Sequence, residues 1–169
     1  MSSFALSQVL VGIAICFDIL SFQFKERTKI VACLLVSCIL IALHFMLLGH
    51  WTAVCLGLLA ALRFTTSLFS TSKKFMLLFV LMTVVLTALT YNGLLSLLAG
   101  SGGCFGTMAS FCREDKKLRQ LMLVGTSLWI IHNALAGSPG AVLMEAIFIA
   151  SNVVGYFRYY ILPARRTLA

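Results

Sequence analysis

The sequence predicts an all-α, polytopic membrane protein: seven transmembrane helices arranged as two parallel three-helix repeats joined by a linking helix, a 3+1+3 layout. Three observations predict it. Hydrophobic residues make up 61% of the chain and charged residues 11%, against roughly 45–50% and 25% in a soluble domain, and the mean hydropathy is +1.04. Apolar runs close to the ~20 residues that a bilayer-crossing helix needs recur along the chain between short polar breaks. The chain also matches itself at an offset of 132 − 44 = 88 residues: "HFMLLG" at 44–49 meets "HNALAG" at 132–137, and "CF" at 16–17 meets "CF" at 104–105.

The first run, 4–22, reads as a retained helix. A cleavable signal would put basic residues ahead of its apolar core, whereas the chain opens Met1-Ser2-Ser3 and the run carries Asp18. The second run, 28–48, brings His44 to about one turn before Gly49, and the third, 51–69, opens on Trp51, an interfacial belt anchor, and contains Arg63. The fourth, 74–90, has no counterpart at the 88-residue offset. Three helices end on the side opposite to where they began, so one linking helix restores the orientation for the second set. The fifth run, 93–112, is rich in glycine, and the sixth, 117–136, carries Trp129, His132 and Asn133. The seventh, 139–161, carries Glu145, Asn152 and Tyr159 at a spacing of seven, which puts them on one face. It ends in "YFRYY", an inner-interface anchor from which Arg158 snorkels to the headgroups. The units are therefore 1–72, 73–92 and 93–169, the last with a short basic tail.

The formal charge is +8. Its distribution argues for topology and against a nucleic-acid partner: Lys25, Arg27 and Lys29, then Lys73 and Lys74, then Arg113, Lys116, Lys117 and Arg119, then Arg165 and Arg166 follow alternate runs. The loops between, at 49–50, 91–92 and 137–138, hold none. Basic residues mark the cytoplasmic side, so the N-terminus is expected outside and the C-terminus inside. The six cysteines, Cys16, Cys33, Cys38, Cys55, Cys104 and Cys112, show no metal-ligand spacing and read as small buried hydrophobes. No cofactor or metal is expected, and without HExxH or GxSxG no enzyme activity is expected either.

Ionisable groups inside a membrane are costly and face the bundle interior or a wet cavity. The candidate ligand or proton site is His44, Trp129, His132, Asn133, Glu145 and Asn152. His132 and Glu145 come out at similar depth, and two readings are open: a proton-exchanging pair or a hydrogen-bonded clasp between helices. The stripe Glu145, Asn152, Tyr159 is either the wall of a polar cavity or a satisfied seam. Asp18 and Arg63 also share a depth, and their counterparts at the 88-residue offset, Gly106 and Ser151, are uncharged. They form a candidate buried ion pair. The partners expected are membrane lipids and a small polar solute transported through a site between the repeats. The alternative is a non-transporting assembly or lipid-interacting protein whose buried polar residues are structural.

The stretch "HNALAGSPGAVLMEAIFIASN" at 132–152, followed by "YFRYY", resembles the bacterial inner-membrane YgjV family, and the similarity runs along the whole chain. The resemblance implies a seven-helix protein of the bacterial inner membrane. The 3+1+3 layout is also similar to the SWEET sugar transporters and the PnuC vitamin transporters. SWEET and PQ-loop proteins carry a hinge proline in the first helix of each repeat. Here the prolines are Pro139 and Pro163, and Gly12, Gly100, Gly102, Gly103 and Gly106 are left to supply bending or close packing.

Overall fold

In the computed structural model, which describes residues 3–47, 51–89, 91, 93–135 and 139–163, the chain is all helical. The helices are α1 (Ser3–Ser21), α2 (Arg27–Leu47), α3 (Trp51–Phe69), α4 (Lys73–Leu89), α5 (Leu94–Ser110), α6 (Asp115–Leu135) and α7 (Pro139–Tyr156), the last continuing as a π-helical turn, Phe157–Ile161. Each coincides with a predicted run. The expected belt anchor at the Trp51 side chain, the Cys55 thiol, Gly49, Gly137 and the basic tail with Arg165 and Arg166 lie outside the described residues.

Helices of 17 to 21 residues are about 25–32 Å long at about 1.5 Å per residue, close to the ~30 Å hydrocarbon core. By length and composition Arg27–His44 is apolar enough to cross a membrane, and Ala5–Ser21, Gly57–Phe69 and Leu94–Ser110 are shorter apolar stretches. The distribution of polarity says more. Leu62 on α3, Leu77 and Leu81 on α4 and Leu143 on α7 are each more than half exposed, while Ser7, Ser67, Thr107, Ser110, Arg119 and Asn152 are fully buried. A coat of exposed leucine, valine and phenylalanine over an interior that holds polar side chains would be unfavourable in water, where apolar patches beyond a few hundred Å² are rare. Against lipid tails it costs nothing.

α1 packs along α2, α2 along α3, α5 along α6 and α6 along α7; α1 also touches α7, α3 touches α5, and α4 lies against α5. Exchanging α1, α2, α3 with α5, α6, α7 leaves the list of neighbours unchanged apart from α4. The same exchange relates individual bonds. Glu26–Lys29 at 2.9 Å and Glu114–Lys117 at 2.8 Å open α2 and α6 with the same exposed ion pair, 114 − 26 = 88 residues apart. His44 Nδ1 lies 3.0 Å from the Ser7 carbonyl and His132 Nδ1 2.9 Å from the Leu95 carbonyl, again 95 − 7 = 88. A carbonyl only accepts, so each ring carries its hydrogen on Nδ1.

The apolar core, including Phe22, Ile30, Leu34, Phe64, Leu118 and Met122, sits where α1, α2, α3 and α6 converge. Phe22 meets Phe148 of α7 edge-on at 4.7 Å. Glycines on α5 and α6 serve close packing. A Cβ added at Gly102 would lie 2.8 Å from the Trp129 indole, and one at Gly125 3.2 Å from the Gly102 carbonyl. The expectation of buried cysteines is not met among the described residues: Cys33, Cys38, Cys104 and Cys112 are half-buried and Cys16 is exposed on α1; a thiol is apolar enough to face lipid.

Candidate functional site

A central cavity of about 230 Å³ lies among α1, α2, α3, α5, α6 and α7. Leu34, Ser37, Cys38 and Ile41 of α2 line one wall; Met122, Gly125, Thr126 and Trp129 of α6 line another. Taken in order, these are 122 − 34, 125 − 37, 126 − 38 and 129 − 41, each 88 residues apart. Asp18 of α1 and Gly106 of α5, also 106 − 18 = 88 apart, both border the same space. Arg63 of α3 and Glu145 of α7 complete the charged lining.

A second cavity, of about 430 Å³, lies among α3, α4, α5 and α6 and includes His132, Thr83 and Thr87 in its lining. Arg63, Gly102, Gly106 and Trp129 border both spaces. Trp129 stands edge-on to His132 with ring centroids 5.3 Å apart, as a spacing of three residues on one helix allows.

Asp18 and Arg63 reach the same cavity, but the direct bridge expected between them is not formed. Among the described residues the ion pairs within 4.0 Å are Glu26–Lys29 and Glu114–Lys117. Asp18, 9% exposed, has the Ser37 hydroxyl beside its carboxyl group. Arg63 donates through Nη1 to the Thr107 hydroxyl at 3.2 Å and lies over the Phe64 ring at 4.7 Å. Depth estimates place a residue along its helix axis but not around it, and the azimuth of Arg63 turns its fork towards α5.

The expected neighbour of His132 is likewise replaced. Its Nδ1 donates to Leu95 on α5, and it faces the second cavity while Glu145 faces the central one. His44 is tied to α1 in the same manner. Asn133 is half-buried and lines neither cavity. The stripe on α7 divides: Glu145 faces the cavity, whereas Asn152 Nδ2 donates to the Arg119 carbonyl at 2.9 Å and Tyr159 Oη donates to the Gln23 carbonyl. Its lower part is therefore a seam.

Two arginines counted only as topology signals turn out to be structural keys. Arg27, at the start of α2, donates to the carbonyls of Ser110 and Cys112 at the α5–α6 turn, and to the Ser67 carbonyl at 2.7 Å. Arg119, on α6 and fully buried, donates to the Phe22 carbonyl at 2.8 Å and to the Phe24 carbonyl at the α1–α2 turn. The acceptors are related by 110 − 22 = 88 and 112 − 24 = 88. Each set of helices thus inserts a guanidinium into the turn of the other. Gln23 donates to Ser151 at 3.1 Å, and Ser151 to the Ile19 carbonyl, at the same end.

The sequence profile described as "Bacterial inner membrane protein", Imp-YgjV, matches residues 5–162. The chain is similar to "Inner membrane protein YgjV" of Escherichia coli strain K12, at 28% identity over 165 residues that cover 98% of this chain and 90% of that relative. No solved structure matches it. A profile match over nearly the whole chain, to a family whose setting agrees with the inside-out distribution of polarity, makes this chain a member of the Imp-YgjV family of bacterial inner membrane proteins.

Proposed function

We propose that this protein transports a small polar solute across the inner membrane, as two parallel three-helix repeats, α1–α3 and α5–α7, joined by α4. The observation that carries the proposal is the central cavity, lined by repeat-equivalent residues of α2 and α6 and by Asp18, Arg63 and Glu145. Charged side chains at membrane depth are expensive, and they are kept where they line pathways or hold partners. The exchange symmetry of the helix neighbours and the recurring histidine and arginine bonds support the repeat. Parallel repeats with a site at their interface are a transporter architecture.

By the basic residues near its turns, the end held by Arg27 and Arg119 is cytoplasmic, with the N-terminus outside. Alternating access then requires both guanidinium groups to leave the turns they occupy, so the two arginines are the closing elements of that end. One observation favours a non-transporting assembly or lipid-interacting role instead: His44, His132, Asn152 and Tyr159 all direct hydrogen bonds to backbone carbonyls, as interhelical glue does.

The test is the thermal stability of the purified protein and of Glu145→Gln in the presence of sugars, nucleosides, vitamins, amino acids, organic acids and amines at two pH values. A solute that raises the melting temperature of the wild type and not of the variant supports the site. If no solute shifts either protein and the variant merely melts earlier, Glu145 is helix glue and the structural role stands.

A further inference from the structure

The central cavity carries an unbalanced charge. Its titratable lining is Asp18 on α1, Cys38 on α2, Arg63 on α3 and Glu145 on α7, with none contributed by α5 or α6. Arginine does not deprotonate in proteins, and the partners of Arg63 are neutral, the Thr107 hydroxyl and the Phe64 ring. Its Nε is buried with no partner among the described residues. Glu145 makes no hydrogen bond among the described residues, and its electrostatic neighbour is a like charge, Asp18.

With both carboxylates ionised the lining sums to −1 −1 +1 = −1. One uncompensated charge among helices at membrane depth is unfavourable, so the cavity reaches neutrality by holding one proton or one monovalent cation. The rest of the lining decides between kinds of cation. Trp129 and Phe148 present aromatic surface, and Met122 and Met144 present polarisable thioethers, which suit an organic cation. A hard inorganic ion wants a shell of oxygens, and beyond the carboxylates the side chains offer Ser37 and Thr126. A volume of about 230 Å³ is below the roughly 300–1,000 Å³ of pockets for drug-sized ligands and far above that of a bare ion.

From this we infer that the central cavity binds small organic cations, seating an ammonium group between Asp18 and Glu145 in exchange for a proton. The inference rests on the transport reading above and names its substrate class. The exchange balances: the ammonium keeps its own hydrogens, the O–H bond of the protonated carboxyl group breaks, and that proton passes to water. The cavity is neutral before and after. Solute and proton are then alternative occupants, so inward movement of one accompanies outward movement of the other.

The experiment titrates the full-length protein in detergent with phenethylamine, with hydrocinnamate as the anionic counterpart and phenethyl alcohol as the neutral one. Calorimetry in buffers of different ionisation enthalpy counts the protons released. The amine alone is expected to bind, to release up to about one proton per molecule, and to gain affinity by up to about tenfold per pH unit while the carboxyl pair is protonated. Glu145→Gln should abolish proton release and weaken amine binding at least about tenfold. Asp18→Asn should do the same, and it serves as the variant if Glu145→Gln does not fold.

Amine binding that ignores pH, absence of amine binding, or proton release by sodium chloride alone overturns the inference. Preference for the anion or the neutral compound also overturns it while leaving the transport reading intact. Proton-releasing amine binding by a protein whose proteoliposomes pass none of the three compounds upholds the cation site and removes transport.

Discussion

Arg119 is the residue on which most of the packing at the clasped end converges. Its guanidinium donates to Phe22 and Phe24, lies 5.6 Å over the Phe22 ring and 5.5 Å over the Tyr159 ring, and its own carbonyl accepts from Asn152. Hydrogen bonds to a charged donor contribute about 1.5–3 kcal/mol each, so Arg119→Ala, which removes two, should lower stability by about 3–6 kcal/mol in thermal or denaturant unfolding. Arg119→Lys should recover little, because an ammonium lacks the fork that reaches two carbonyls together. Gly155 explains why the space exists: a Cβ there would run into the Phe22 carbonyl oxygen and Arg119 Nη1. Gly155→Ala should therefore cost about 1–3 kcal/mol through overpacking. Gly12→Ala, with nothing within 4 Å of the added carbon, should be neutral or stabilising by up to about 1 kcal/mol. Equal stability of the two glycine variants would contradict this account of the contact.

At the scale of elements, the turn 22–26 is held by a guanidinium group from α6 and the turn 111–114 by one from α2, while the histidine bonds join α2 to α1 and α6 to α5. Parting α1–α3 from α5–α7 at this end therefore breaks the arginine bonds to Phe22, Phe24, Ser110 and Cys112 and leaves the histidine bonds, and that of Arg27 to Ser67, in place. Cys38 faces the central cavity and reports on the opening. In a variant retaining Cys38 as its one cysteine, Arg27→Gln combined with Arg119→Gln should raise the rate of maleimide labelling from the side on which those turns lie by about tenfold or more, the change expected when about 1.4 kcal/mol of closing free energy is lost. Unchanged labelling in a protein that is still folded would mean that the arginines hold the turns without gating the cavity.

Over the whole molecule, element existence was legible and azimuth was not. Seven apolar runs between turn-forming breaks are enough to place seven helices, because a backbone in lipid is satisfied by a helix or a closed barrel and runs of about 20 apolar residues have the length of a spanning helix, not of a spanning strand. The histidine pair found at an offset of 88 in the sequence makes the same bond twice in the structure. The counting of basic residues misjudged Arg119 because it asks only how near a helix end a charge lies. Its position among Leu118, Met122, Gly125 and Thr126, all buried on α6, could have shown that it lies on the inward face, one turn from a residue of the core. The pairings Asp18–Arg63 and His132–Glu145 failed for a related reason. A shared depth leaves the direction of a side chain open, and neutral acceptors on α5, Thr107 and the Leu95 carbonyl, were closer to hand.

The measurement that tests the central claim most directly is solute uptake into proteoliposomes by wild type, Glu145→Gln and Asp18→Asn, using the solute that most stabilises the purified protein. The account predicts saturable uptake by the wild type, driven by an imposed pH gradient and reduced at least about tenfold in both variants, each still folded by its melting curve. A folded wild-type protein that leaves the vesicles impermeable to every solute it binds, or equal uptake by all three proteins, would contradict it.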